Sequence, residues 1–160
     1  KKIKIAKKLG IEYDKRSAVE VYHELKKTNS DISIYIFVGG KIIYANGFNL
    51  ENGEKIFPLS GISNKNIITC NEFGKWLVYK SDRYGFQNSD EVWNEKSVDW
   101  IFIGDSFVHG HCVPSEKNTT GRIISLTDEV AINLGKAGNG PFTGEGPRPR
   151  LNLRHAVHTP

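Results

Sequence analysis

A serine becomes a nucleophile only in company. A base must take its proton, a third group must orient that base, and fixed donors must hold the oxyanion that forms on the attacked carbonyl. Ser106 is the residue of this chain whose surroundings suit that work. It follows the apolar run Trp100-Ile101-Phe102-Ile103 and then Gly104-Asp105, so its hydroxyl stands where a strand ends abruptly. If a helix begins there, the Ser106 N–H points at the same spot. A second source of bare N–H groups is Asn133-Leu134-Gly135-Lys136-Ala137-Gly138-Asn139-Gly140-Pro141, a glycine-rich loop in which the lack of a Cβ lets the backbone approach a ligand.

Each of these features also has a purely structural reading. Serine is a favoured helix N-cap, and a glycine-rich loop is a tight turn. The order Gly135-x-x-Gly138-x-Gly140 lacks the full pattern of a dinucleotide-binding turn and the lysine of a P-loop, which leaves nucleotide binding weakly supported. His109, His111 and Cys112 invite a metal, yet zinc sites draw on two separated ligand pairs and no second pair is evident. We therefore expect no metal and no cofactor. His109 and His111 are placed at a helix end or in a loop lining the cleft, with Asn139 beside them and Cys112 packed. Cys70 and Cys112, far apart and in no ligand-like pair, are expected as free thiols.

The elements that must position these groups follow from the hydrophobic pattern. Val98–Ile103 is short, aromatic and β-branched, as a strand covered on both faces would be. A helix within 118–127 and a strand over 130–133 complete a strand, helix, strand unit of the length that a parallel crossover needs. Upstream, Tyr13, Ala18, Val21, Tyr22 and Leu25 recur at helical spacing, with Ser17 and Glu20 as a capping box. Ile32–Val38 and Lys41–Ala45 flank Gly39-Gly40 as a hairpin, and strands are expected over 66–70 and 75–80. Asp82 and Arg83 read as a surface turn with a local ion pair, and Trp76, Trp93 and Trp100 as packing residues rather than a sugar platform.

These two blocks, Gly104-Asp105-Ser106-Phe107 and Asn133 to Gly140 with a helix between them, resemble the SGNH hydrolases, also called the GDSL family, of esterases, lipases and carbohydrate deacetylases. The resemblance covers about residues 93–142. The stretch from Tyr79 to Asn88 is similar to what precedes this domain in bacterial members with an N-terminal extension, which are linked to surface polysaccharides. The resemblance implies Ser106 as nucleophile, the backbone N–H groups of Ser106 and Gly138 as two oxyanion donors, and Asp105 as a support that holds the turn. It also implies an α/β fold: the start of a doubly wound, flavodoxin-like parallel sheet, preceded by a small α+β region. The family's Gly-x-Asn-Asp and Asp-x-x-His blocks do not occur here; the tail offers only Asn152 three residues before His155.

The expected organisation is an N-terminal α+β extension over 1–90, a partial hydrolase domain over 91–143 and a compositionally foreign tail over 144–160. That tail holds three of the six prolines and no lysine, whereas lysine is frequent before it. Lacking its base, the chain is expected to be a feebly active or inactive serine esterase or acyltransferase acting on an ester or acylated carbohydrate. The alternative is a non-catalytic folding or binding module. A formal charge of +4, spread over scattered lysines apart from a cluster at the N-terminus, does not match a nucleic-acid-binding face. That cluster fits a juxtamembrane basic segment equally well, but no apolar stretch is long enough to span a membrane. An unpaired sheet edge is expected to favour self-association. The two cysteines give no strong compartment signal, and the resemblance implies a bacterial location, in the cytoplasm or the cell envelope.

Overall fold

The computed structural model of the chain describes residues 2–35, 48–53, 55–56 and 60–138. It is mixed α/β, with small sheets that contain parallel strands, and few helices. Its first layer is helix α2 (Ala18–Leu25) against a three-stranded sheet of β1 (Ile32–Ile34), β4 (Asn66–Ile68) and β5 (Val78–Lys80). Between β1 and β4 in the chain lies a two-stranded antiparallel pair, β2 (Phe48–Asn49) and β3 (Lys55–Ile56). A short helix α1 (Lys2–Lys8) precedes them all.

Helix α2 starts where it does because Ser17 accepts from the Glu20 N–H while the Glu20 carboxylate accepts from the Ser17 N–H. Two orphan donors of the first turn are thereby satisfied. Val21 then buries against Ile32 and Ile68, with Tyr22, Leu25, Ile34 and Trp76 around them. Strand β1 runs parallel to β4 and β5 antiparallel to it, so β4 is the central strand and Ile68 is fully buried.

The second layer is built on β6 (Trp100–Phe102) and β7 (Ala131–Asn133), paired in parallel with Phe102 opposite Asn133. They are joined through helix α3 (Ser106–His109), a 3-10 turn at Ser115–Lys117 and helix α4 (Thr119–Thr127). Asn118 caps α4 by accepting from the Gly121 N–H at 2.8 Å. Phe86, Ile132 and Leu134 form the core here, with Val92, Trp93 and Val98 packed on them. The segment before β6 thus covers β7.

Several expectations need correction. Strand β6 is not covered on both faces: Trp100 and Ile101 are about half exposed and Ile103 is 65% exposed. Trp100 is accordingly no core residue; its ring stacks on Phe102 at the surface and its Nε1 donates to Glu129. Cys70 and Cys112 are bonded to each other, their Cα atoms 5.6 Å apart, because folding brings together positions 42 residues distant in the chain. Arg83 does form an ion pair, but with Asp90 rather than Asp82. Asp82 is instead completely buried. The helix predicted from Tyr13 occupies only Ala18–Leu25, and of the predicted hairpin only its first strand, over Ile32–Ile34, lies within the described residues. The tail 144–160 and Asn139 lie outside them.

Candidate functional site

The turn that presents Ser106 is held by its neighbour. Asp105 is the N-cap of α3, and its carboxylate accepts from the Phe107 N–H at 2.9 Å. Ser106 opens the helix, partly buried, and its carbonyl accepts from the His111 N–H at 3.0 Å. Gly110 closes this single turn in the left-handed conformation, with φ +72°.

The second block comes alongside by extension of the parallel ladder. Beyond the last residues of β6 and β7, the Leu134 N–H donates to the Phe102 carbonyl at 2.7 Å and the Lys136 N–H to the Gly104 carbonyl at 2.9 Å. Ser106 and Gly138 each stand two residues past this last rung. The two loops therefore leave neighbouring strands at the same end of the sheet, the end at which ligands of open parallel sheets are bound.

Two glycines make the approach possible. A Cβ on Gly135 would lie 2.3 Å from the His109 nitrogen and 2.6 Å from the Val108 carbonyl carbon, so only glycine lets the loop cross α3 so closely. Gly138 has φ +98°, which favours glycine, and a Cβ there would meet no atom of the described residues within 4 Å.

The rings of His109 and His111 meet tyrosines. His109 is 3% exposed and turns its ring onto Tyr79, whose hydroxyl lies 3.5 Å from Nε2, and onto Tyr35. Burial first, then the neighbouring His111 and Lys136, push its pKa down to about 4. His111 lies against Tyr35 with ring centroids 5.1 Å apart, and burial lowers its pKa as well. Both phenols are pushed up, chiefly by burial. Burial also lowers the pKa of Lys136, whose ammonium donates to the Ser60 carbonyl. Among the described residues, no hydrogen bond joins either imidazole to Ser106, and no group of three or more His, Cys, Asp or Glu is placed to hold a metal ion.

The sequence reading missed the polar frame behind the site. Asp82 Oδ1 accepts from the N–H groups of Tyr84 and Phe86, and Oδ2 accepts from Asn88 Nδ2 and Trp93 Nε1, all at 2.9 Å. Those bonds offset the cost of burying a carboxylate. Asn88 continues inward to the backbone of Asn133, and the Asn133 side chain reaches the Val108 carbonyl in α3. A clue was available in the density of polar residues around Gly85, from Ser81 to Ser89, which is unusual for a surface turn of that length.

Among the described residues no helix is long and apolar enough to cross a membrane. No protein-family model matches the chain, and no curated protein or solved structure matches it either.

Proposed function

We propose that the chain carries the nucleophile half of an SGNH-type serine esterase or acyltransferase site, with Ser106 as nucleophile and the N–H groups of Ser106 and Gly138 as oxyanion donors. The observation that carries this reading is the rung from Lys136 to Gly104, which sets the serine turn beside the glycine loop at one end of a parallel pair. Asp105, tied to the turn it caps, would keep the hydroxyl presented. The substrate class is an ester, in particular an acylated carbohydrate, and β6 and β7 would begin a doubly wound, flavodoxin-like sheet. His109 is buried and its ring meets Tyr79 rather than Ser106, so on this reading it does not serve as the base, and turnover by this chain is expected to be feeble. Labelling by a fluorophosphonate, with Ser106→Ala as control, tests the assignment.

A second reading, a non-catalytic folding or binding module, draws support from the lack of any imidazole bonded to Ser106 among the described residues. Selective modification of Ser106 excludes it. Self-association through the edge of β6 belongs to the first reading, because Trp100, Ile101, Ile103 and the 86% exposed Phe107 leave apolar side chains exposed along and beyond that strand. Light scattering is expected to show association that rises with concentration and is suppressed in Ile103→Lys. A monomer at all concentrations contradicts it.

A further inference from the structure

Strand β7 has two edges, and only one of them faces β6. On the other, the N–H and carbonyl of Asn133 point away from the ladder, where a buried pair of unsatisfied backbone groups would be costly. A side chain fills that place. Asn88 Oδ1 accepts from the Asn133 N–H at 2.8 Å, and Asn88 Nδ2 donates to the Asn133 carbonyl at 3.0 Å. One carboxamide thus does what a residue of a third strand would do.

The same asparagine of β7 faces the site. Asn133 is 1% exposed; its Nδ2 donates to the Val108 carbonyl at 2.8 Å, and its Oδ1 accepts from the Gly135 N–H at 2.9 Å. Val108 belongs to α3, which begins at Ser106, and Gly135 begins the turn that leads to Gly138. One side chain therefore holds both halves of the oxyanion site. Asn88 holds its backbone from behind and is itself held by Asp82 Oδ2.

We propose that Asn88 and Asn133 are positioning residues that set the spacing between the Ser106 helix and the Gly138 loop. Neither touches a reacting atom. The inference rests on the nucleophile reading for its purpose, but its physical content is independent of it: loosening either amide should free α3 and the loop while leaving the β1-β4-β5 sheet intact. A residue that merely filled the core would weaken the whole fold alike.

Two variants separate these cases. Asn133→Asp keeps the acceptor for Gly135 but loses the donor to Val108 and sets oxygen against oxygen; Asn88→Ala removes both bonds to the Asn133 backbone without altering β7 itself. Hydrogen exchange would be read at the amides of His109 and Lys136, which are bonded to Asp105 and Gly104, and at Ile68 and Tyr79 in the first sheet. Each variant is expected to speed exchange at His109 and Lys136 by about tenfold or more, the loss of roughly one net hydrogen bond, and to leave the first sheet unchanged. The amide resonances of Ser106 and Gly138 should shift in the same variants. Unchanged exchange at His109 and Lys136, or equal acceleration in both layers, including loss of fold in both variants, overturns the proposal. Fluorophosphonate labelling run in parallel distinguishes the failures: if the parent chain does not label but exchange responds locally, the nucleophile reading falls and the positioning pair stands.

Discussion

His109 stands three residues after Ser106 on the same short helix, yet its environment has made it a core ring. Its pKa falls from the ordinary 6.5 to about 4, chiefly because burial penalises the charged form. Between these two values the unfolded chain binds the proton that the folded chain refuses, so stability rises with pH there. The contribution of neutral His109 is complete above about pH 6.5 and is lost as pH falls toward 4; His111, shifted the same way, adds to it. Unfolding free energy should fall by on the order of 2 kcal/mol between pH 7.5 and 4.5, read as a lower melting temperature. His109→Phe keeps a ring without a titrating group and should flatten that slope. An unaltered slope in this variant would place the acid sensitivity elsewhere.

Residue roles were legible in the sequence where they depend on near neighbours. The capping box of Ser17 and Glu20 involves residues three apart, and both partners are visible in the local order. The burial of Asp82 depends on partners as distant as Trp93 and, through Asn88, Asn133. The pairing of Cys70 with Cys112 depends on how two layers meet. Nothing local distinguishes such an aspartate or cysteine from one at the surface.

At the scale of elements, the loop from Asn133 to Gly138 depends on two glycines for different reasons. Gly135→Ala places a methyl against the backbone of α3, a clash that should cost about 2–4 kcal/mol in urea unfolding. Gly138→Ala meets no atom and carries only the strain of its positive φ, about 1 kcal/mol. Equal losses for the two would mean that α3 yields freely to the loop. Strands β4 to β7 and helices α2 and α4 were readable because their apolar residues recur at the right period. Helix α1 was not: its seven residues alternate Lys and Ile without a clear face. The apolar run of β6 misled as to burial, since an apolar run reports a strand's preference and not what the rest of the chain places over it.

At the scale of the molecule, two small cores share a boundary at which chemistry and architecture meet. The α2 sheet contributes Tyr35 and Tyr79, the β6-β7 layer contributes His109 and His111, and the Cys70–Cys112 bond crosses between them. This boundary packs on His109 and His111, at the end of α3 and just beyond it. On the proposed reading, an oxyanion site and bound geometry with no base engaged would retain about 10³-fold or more of a serine hydrolase's rate advantage, so Ser106 should still differ from other serines. The most direct measurement is intact-mass and peptide-level detection of adducts after prolonged exposure to a small fluorophosphonate. A nucleophilic Ser106 predicts one slow adduct at Ser106, absent from Ser106→Ala. No adduct, or labelling spread indifferently over Ser106, Ser115 and Ser125, would contradict it.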